Sequence, residues 1–272
     1  MRIMALIILT LFILINLGIT FASMRWLQVV HHVVYVPDLP SHLEGLRILQ
    51  ISDLHNRSSV RKTLNIWPTV FDQTFDIAVI TGDIIVGSER HLEPHRYGLG
   101  QLAYRVPTFF IEGNHELRHR SLDAFMAEVG ITFLRNDIAT VSHGGGTFEV
   151  VGTRDYNVLT RDHFAVFDTL FDNAQGFQLV LTHQPQAFNY LKGRTAMPQL
   201  VLSGHTHGGQ LRLPFFPTIY APNQGFFPQY GSGFYHYQNA TLYVSRGIGA
   251  TNFSLRFWNR PELPIFELRK KD

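Results

Sequence analysis

Ser203-Gly-His-Thr-His-Gly-Gly209 follows the apolar run 199–202 and sets two imidazoles, His205 and His207, two residues apart among small residues. On an extended or tightly turned backbone this spacing lets both rings enter one pocket. Histidine is the commonest metal-bound side chain. A His-x-His pair alone is weak evidence, because surface histidines match it too. Its weight comes from four other stretches that end in the same way.

Working outward, the apolar run 46–52 ends in Asp53-Leu-His55-Asn56, and 77–81 ends in Gly82-Asp83. The run 106–112 leads to Gly113-Asn-His-Glu116, and 178–181 leads to Thr182-His183-Gln-Pro185. Helical patterning over 60–71 and part of 87–104 separates the first three runs, and a helix over 121–130, closing on Gly130, follows the third. Strands alternating with helices predict βαβ units and a parallel sheet. The chemistry of such sheets gathers at the carboxyl ends of the strands. Asp, Asn and Gly also favour ordinary turns, which would explain any one cluster. Turn chemistry does not explain three in succession, each with a metal-competent residue. The β-branched segment 29–36 and the runs 132–134, 147–151, 200–202, 241–245 and 265–268 add further strands. The expected fold is α/β: a four-layer αββα sandwich of two mixed β-sheets flanked by helices.

Asp53, His55, Asp83, Asn114, His115, His183, His205 and His207 therefore form one candidate set. Its oxygen and nitrogen donors suit borderline ions such as Mn, Fe or Zn. The set is too large for one ion and appropriate for two divalent metal ions sharing a carboxylate. The chain has no cysteine, which excludes thiolate ligands and disulfides. Its formal net charge of +2 argues against a nucleic-acid partner held by bulk charge. A length of 272 residues with 45% hydrophobic content suffices for a substantial core.

Residues 3–22 carry no charge, with Arg2 before and Arg25 after. As a helix they would cover about 30 Å, the hydrocarbon thickness of a bilayer. The expectation is an N-terminal transmembrane helix or signal-anchor over 1–25, with the catalytic domain over 26–272. Cleavage after 20–22 as a secretory signal is the alternative, although a signal core is usually shorter. Arg2 and the amino terminus weakly place the carboxyl-terminal bulk outside the cytoplasm.

The ordered series Asp-x-His, Gly-Asp, Gly-Asn-His-Glu, His and Gly-His-x-His, spanning Asp53 to His207, resembles the calcineurin-like metallophosphoesterase superfamily. The stretch 203–214, with Tyr243-Val-Ser-Arg-Gly-Ile-Gly249, Arg256-Phe257 and Pro261-Glu262, is similar to its bacterial membrane- or envelope-associated YkuE/YaeI-like phosphodiesterase branch. The resemblance implies that Asp53, His55 and His207 hold one metal, that Asn114, His183 and His205 hold the other, and that Asp83 bridges. It implies that His115 faces the phosphate and protonates the leaving oxygen, and that Glu116 orients or charges His115. The implied reaction is attack of metal-bridging hydroxide on a phosphoester, with a phosphodiester favoured. A phosphomonoester, or the pyrophosphate of a nucleotide-linked lipid of the UDP-diacylglucosamine type, is the alternative. A non-catalytic membrane-tethered interaction module is the remote one.

Arg57 and Arg212 flank ligand motifs and are candidates for a bidentate phosphate contact. Phe215, Phe216, Phe226, Phe227, Tyr230 and Phe234 follow the metal motif among Gly and Pro. As exposed loops they would suit an amphiphilic or lipid-linked phosphate; as core they would suit packing alone.

Overall fold

The structure is a computed structural model. It describes residues 2–23, 26–55, 65–86, 92–117, 119–155, 161–173, 176–192, 194, 197–209, 212, 218–249, 256 and 258–271. The side chains of 19–23, 161–165 and 173 are not described. Arg57, Phe215 and Phe216 lie outside the described residues.

In chain order the elements are α1 (Arg2–Ser23), β1 (Gln28–Val36), β2 (Arg47–Ile51), α2 (Trp67–Phe71), β3 (Ile77–Thr81), α3 (Glu93–Arg105), β4 (Thr108–Ile111) and α4 (Leu122–Glu128). Then come β5 (Thr132–Phe133), β6 (Asp137–His143), β7 (Gly146–Gly152), α5 (Arg161–Asn173), β8 (Gln178–Leu181), α6 (Ala187–Leu191) and β9 (Leu200–Ser203). The chain closes with β10 (Tyr220–Ala221), β11 (Gly225–Phe226), β12 (Gly233–Tyr237), β13 (Ala240–Val244) and β14 (Glu262–Lys270).

Two six-stranded sheets result, in the orders β1-β14-β2-β3-β4-β5 and β12-β13-β9-β8-β7-β6. Strands β2 to β5 run parallel, as the βαβ pattern predicts. Strand β14 makes the first sheet mixed, since it is antiparallel to β2 and parallel to β1. In the second sheet β7, β8, β9 and β13 are parallel, and β6 and β12 are antiparallel edges.

The strand period of two sorts the side chains into layers. Ile48, Ile77, Val79 and Ile111 of the first sheet pack against Leu179, Leu181, Leu200 and Leu202 of the second. The next residues along the same strands, Leu49, Ala78, Ile80 and Phe110, point the other way, onto Val70, Leu99, Leu102 and Phe125 of α2, α3 and α4. Val180, Val201 and Leu242 face outward onto Phe167, Phe171, Phe188 and Leu191 of α5 and α6. These three buried clusters are the interfaces of the expected four-layer sandwich.

Three elements differ from the sequence reading. Helix α2 begins at Trp67 and not at residue 60, and residues 60–64 lie outside the described set. Strand β6, which forms a hairpin with β7, was not expected, because Asp137, Ser142 and His143 break its apolar pattern. Helices α5 and α6 were also missed, although Phe167, Leu170 and Phe171 of α5 recur at helical spacing.

Helix α1 is present where the sequence placed it, and its apolar side chains are exposed, among them Ile3, Leu6, Phe12 and Leu17. Among the described residues no helix is long and apolar enough to cross a membrane.

Gly98 shows how tightly the outer layer packs. An exposed helical glycine gains about 1 kcal/mol on replacement by alanine. A Cβ here would enter the Trp67 indole. Gly98→Ala is therefore expected to destabilise by roughly 1–3 kcal/mol, read as a lower urea midpoint with an unchanged slope.

Candidate metal centre

The loops at the carboxyl ends of β2, β3, β4, β8 and β9 meet in one place because glycines allow them to touch. A Cβ on Gly82 would come 2.6 Å from the Gly113 nitrogen and 2.7 Å from His183 Nδ1. One on Gly113 would sit 2.7 Å from the Asp83 nitrogen, and one on Gly204 would run into Ser52 and Asp53. Below, the buried Gln50 ties the two sheets together, donating from Nε2 to Thr81 Oγ1 (2.9 Å) and to the Ser203 carbonyl (3.0 Å). Nothing in the motif reading pointed to Gln50. Its signal was a polar residue inside an apolar strand.

Asp53, His55, Asp83, His205 and His207 all have positive φ, between 42° and 69°. Non-glycine residues adopt this region rarely and at a cost of order 1–3 kcal/mol each. Five such residues at one site show that the surrounding structure holds each side chain inward against its backbone preference.

Three groups of potential ligand atoms result: His55, Asp83 and His115, which overlaps two others, Asp53, His55 and His207, and Asp83, His183 and His205. Asp83 faces both of the latter. Its Oδ2 is 3.6 Å from His55 Nε2, 3.2 Å from His183 Nε2 and 4.0 Å from His115 Nε2. Within the groups, His55 Nε2 and His207 Nε2 are 2.9 Å apart, and His183 Nε2 and His205 Nδ1 are 3.2 Å apart. Asp53 Oδ1 is 3.4 Å from His207 Nε2.

Second contacts aim these groups. Ser52 Oγ donates to Asp53 Oδ2 at 2.5 Å, and the His205 backbone N–H donates to the same carboxylate. His183 Nδ1 donates to the Thr81 carbonyl at 2.8 Å, which turns Nε2 toward the centre; burial pushes the pKa of this ring down, but Asp83 and Asp53 outweigh it and raise it well above the ordinary value. The Asn223 amide meets His205 Nε2 at 3.1 Å, so Nδ1 is the nitrogen turned inward. Asn259 Nδ2 donates to the His207 carbonyl at 2.5 Å. Asn223 and Asn259 lie outside every motif, and sequence reading had no signal for either.

Burial lowers the pKa of His55 and of His205 to about 3 and holds His207 well below its ordinary value. These rings are neutral at physiological pH, the form in which imidazole binds metals. Burial pushes Asp83 up, but His183, His55 and His115 outweigh it and hold its carboxyl well below the carboxylate range. Burial likewise pushes Asp53 up to about 6.

The residues fit divalent cations. Asn114 Oδ1 and His55 Nδ1 are buried with no hydrogen-bond partner among the described residues. Close pairs of imidazole nitrogens converging on carboxylate oxygens form the donor set that a shared cation would satisfy. Asp53, His55, Asp83, His183, His205 and His207 are thus brought together. His115 borders them, with its ring 5.0 Å from that of His55 and its side chain 33% exposed, where those of His55 and His183 are fully buried.

Glu116 is placed differently from its expectation. Its carboxylate accepts three backbone N–H groups, Asp83 (2.7 Å) and Gly113 (2.8 Å) at Oε2 and Ile85 (3.0 Å) at Oε1. It clamps the β3 and β4 loops together and does not orient the His115 ring. The longer side chain is what reaches across to the neighbouring loop. Glu116→Gln turns an NH₂ group toward a backbone donor and is expected to destabilise by about 2–3 kcal/mol, measured by denaturant titration.

Arg212 is also displaced from its expectation. It is half-buried, and its leading electrostatic neighbours are Arg246, Glu262, Tyr235 and Tyr243, none of them in the candidate ligand set. Glu262 anchors that cluster, accepting from Tyr243 Oη at 2.9 Å and from Arg246 Nε at 2.5 Å. Arg256 is the arginine beside the centre, buried, with a guanidinium nitrogen 3.4 Å from His207 Nδ1. The aromatic loop divides. Tyr230 is buried and donates to Asn189 at 2.6 Å, and Phe234 is half-buried on β12, whereas Phe226 and Phe227 are 74% and 77% exposed.

Fold, centre and sequence agree on the class. Residues 46–209 match the calcineurin-like phosphoesterase family, and the chain belongs to it. It is a metal-dependent hydrolase of phosphoric ester bonds. Among its relatives, the metallophosphoesterase YkuE of Bacillus subtilis (strain 168) is 30% identical over 89% of this chain and 86% of its own length. Phosphodiesterase YaeI of Escherichia coli (strain K12) is 27% identical over 89% of this chain and 88% of its own. A transmembrane protein with a metallophosphoesterase domain from Danio rerio is 28% identical, over 89% of this chain and 57% of its own length.

Proposed function

We propose that this chain is a membrane-anchored phosphodiesterase with a dinuclear divalent-metal centre, acting on a lipid-linked or envelope phosphodiester. The observation that carries the reading is the position of Asp83 Oδ2 between the imidazoles of the two ligand groups. Asp53, His55 and His207 would hold one ion, Asn114, His183 and His205 the other, with Asp83 common to both. When bound, such ions supply Lewis acidity and an acidified water. Seven nitrogen and oxygen donors without a thiolate suit Mn, Fe or Zn.

His115 is the general acid in this reading. Its backbone N–H is fixed by donation to Asp83 Oδ1 at 3.0 Å, while its ring remains open to the pocket. It can donate a proton from the ring to the leaving oxygen. The similarity to YaeI, itself named a phosphodiesterase, supports a diester. Helix α1, with its uncharged run 3–22, supports the anchor.

The test is metal analysis of protein purified without added ions, followed by a panel of a model diester, the matching monoester and a nucleotide-lipid pyrophosphate. Metal content with preferred diester hydrolysis is the expected result. Preference for the monoester or the pyrophosphate would replace the substrate assignment. A protein without metal and without activity would leave only the tethered interaction module.

A further inference from the structure

The turn that carries His205 and His207 rests against the β10–β11 hairpin. Thr218 Oγ1 donates to the Gly208 carbonyl at 3.3 Å, and a Cβ on Gly209 would come 2.7 Å from the Tyr220 carbonyl. At the hairpin tip Asn223 has a φ of 59°, a region that asparagine tolerates, and its amide meets His205 Nε2 at 3.1 Å. Behind the tip, Gln224 Nε2 donates to the Tyr230 carbonyl at 2.7 Å, and the Tyr230 N–H donates to Gln224 Oε1 at 3.0 Å. Tyr230 is itself buried. The hairpin is therefore braced against both the core and the ligand His205.

Its outer face is aromatic. Tyr220 and Phe226 meet edge to face at 5.4 Å, and Tyr220, Phe226 and Phe227 are all exposed. Phe227 has a φ of 53°, where a bulky side chain is an outlier, and its N–H is held by the Ile219 carbonyl at 2.8 Å. Glycine or asparagine would hold this turn without strain. Phe227 is thus unfavourable twice over, in backbone conformation and in apolar exposure, with no burial to offset either. A strained, exposed ring beside a reaction centre points to a ligand. Phe226 is three residues from Asn223, at most about 11 Å along the chain, so one substrate can span the centre and the rings.

We infer that Tyr220, Phe226 and Phe227 form the specificity surface of the centre, binding an apolar substituent of the phosphodiester while its phosphate lies at the ligand set. This rests on the phosphodiesterase reading and names what that site recognises besides phosphate. The apolar group is bound directly, one substrate molecule at a time, so a substrate free in water is selected in the same way. A braced hairpin suits this role, because rings already held in place lose little freedom when the substituent binds.

The experiment uses the full metal-loaded chain and two diesters with the same small leaving group, methyl trifluoroethyl phosphate and octyl trifluoroethyl phosphate. Both are kept below the concentration at which the octyl ester forms micelles, and trifluoroethanol release is followed by fluorine NMR. The parent protein is expected to favour the octyl ester in kcat/KM by roughly 10–50-fold, as burial of about a third of its additional methylenes would give. In Phe226→Ser with Phe227→Asn the ratio is expected to fall to within about threefold of unity. General damage to the fold would slow both esters and keep their ratio. Phe227→Asn alone is expected to keep or raise the urea midpoint, since asparagine relieves the backbone there. Tyr104→Ser, at an exposed position at the carboxyl end of α3, is expected to keep the parent ratio. A parent ratio near unity, with the methyl ester hydrolysed, would overturn the inference and leave the phosphodiesterase reading standing. An unchanged ratio in the double variant would also overturn it, and a parent dimer that the variant lacks, seen by sedimentation, would then assign the rings to contact between copies. Hydrolysis of neither ester would overturn the phosphodiesterase reading and this inference together.

Discussion

Asp83→Asn is expected to abolish the occupancy of both metal positions together and to lower turnover by about three orders of magnitude or more. The carboxylate faces imidazoles of both ligand groups through one oxygen, so its charge is shared. An asparagine keeps the shape and can still accept the His115 backbone N–H through Oδ1. It cannot keep the charge, and its NH₂ would point at nitrogens that must stay unprotonated to bind metal. Loss of the Lewis acid removes several kcal/mol of transition-state stabilisation, and each 1.36 kcal/mol is tenfold in rate. Elemental analysis and kcat on a model diester check this, with circular dichroism to confirm folding. Two bound ions and full activity would show that Asp83 does not bridge.

His115→Ala is expected to lower kcat by about 10²–10⁴-fold while metal content stays within experimental error of the parent protein. The ring groups with His55 and Asp83 but is the partly exposed member, and its Nε2 is 4.0 Å from Asp83 Oδ2, against 3.6 Å for His55 and 3.2 Å for His183. A general acid matters most when the leaving oxygen is basic. The loss should therefore be large for an alkyl ester and small for a nitrophenyl ester, whose leaving group departs without protonation. An equal loss on both substrates would assign His115 to phosphate binding, and an unchanged kcat would remove it from the reaction.

The motifs were readable because metal-ligand chemistry is local. Asp53-x-His55, Asp83, Asn114, His183 and His205-x-His207 each end an apolar run, and an apolar run of four to seven residues already predicts a strand end. The same locality hid Glu116. Beside His115 in sequence, it points to Asp83, Gly113 and Ile85 in space. Arg212 likewise follows the metal motif in sequence, but the charges that act on it most are those of Arg246 and Glu262. Asn223 and Asn259 reach the centre from loops that carry no pattern. The aromatic run after the metal motif had one composition and two fates, Tyr230 in the core and Phe226 and Phe227 outside.

By itself, then, the amino-acid order determined the strand periodicity, the α/β class and the chemical identity of the candidate ligand set, since each depends on neighbours within a few residues. Only the tertiary structure decided how β14 inserts between β1 and β2, what Glu116 holds and which side of the domain carries the exposed rings. Those depend on contacts between residues far apart in the chain, such as Gln50 with Ser203 and His55 with His207. Such contacts are set by close packing of whole layers, which no local pattern encodes.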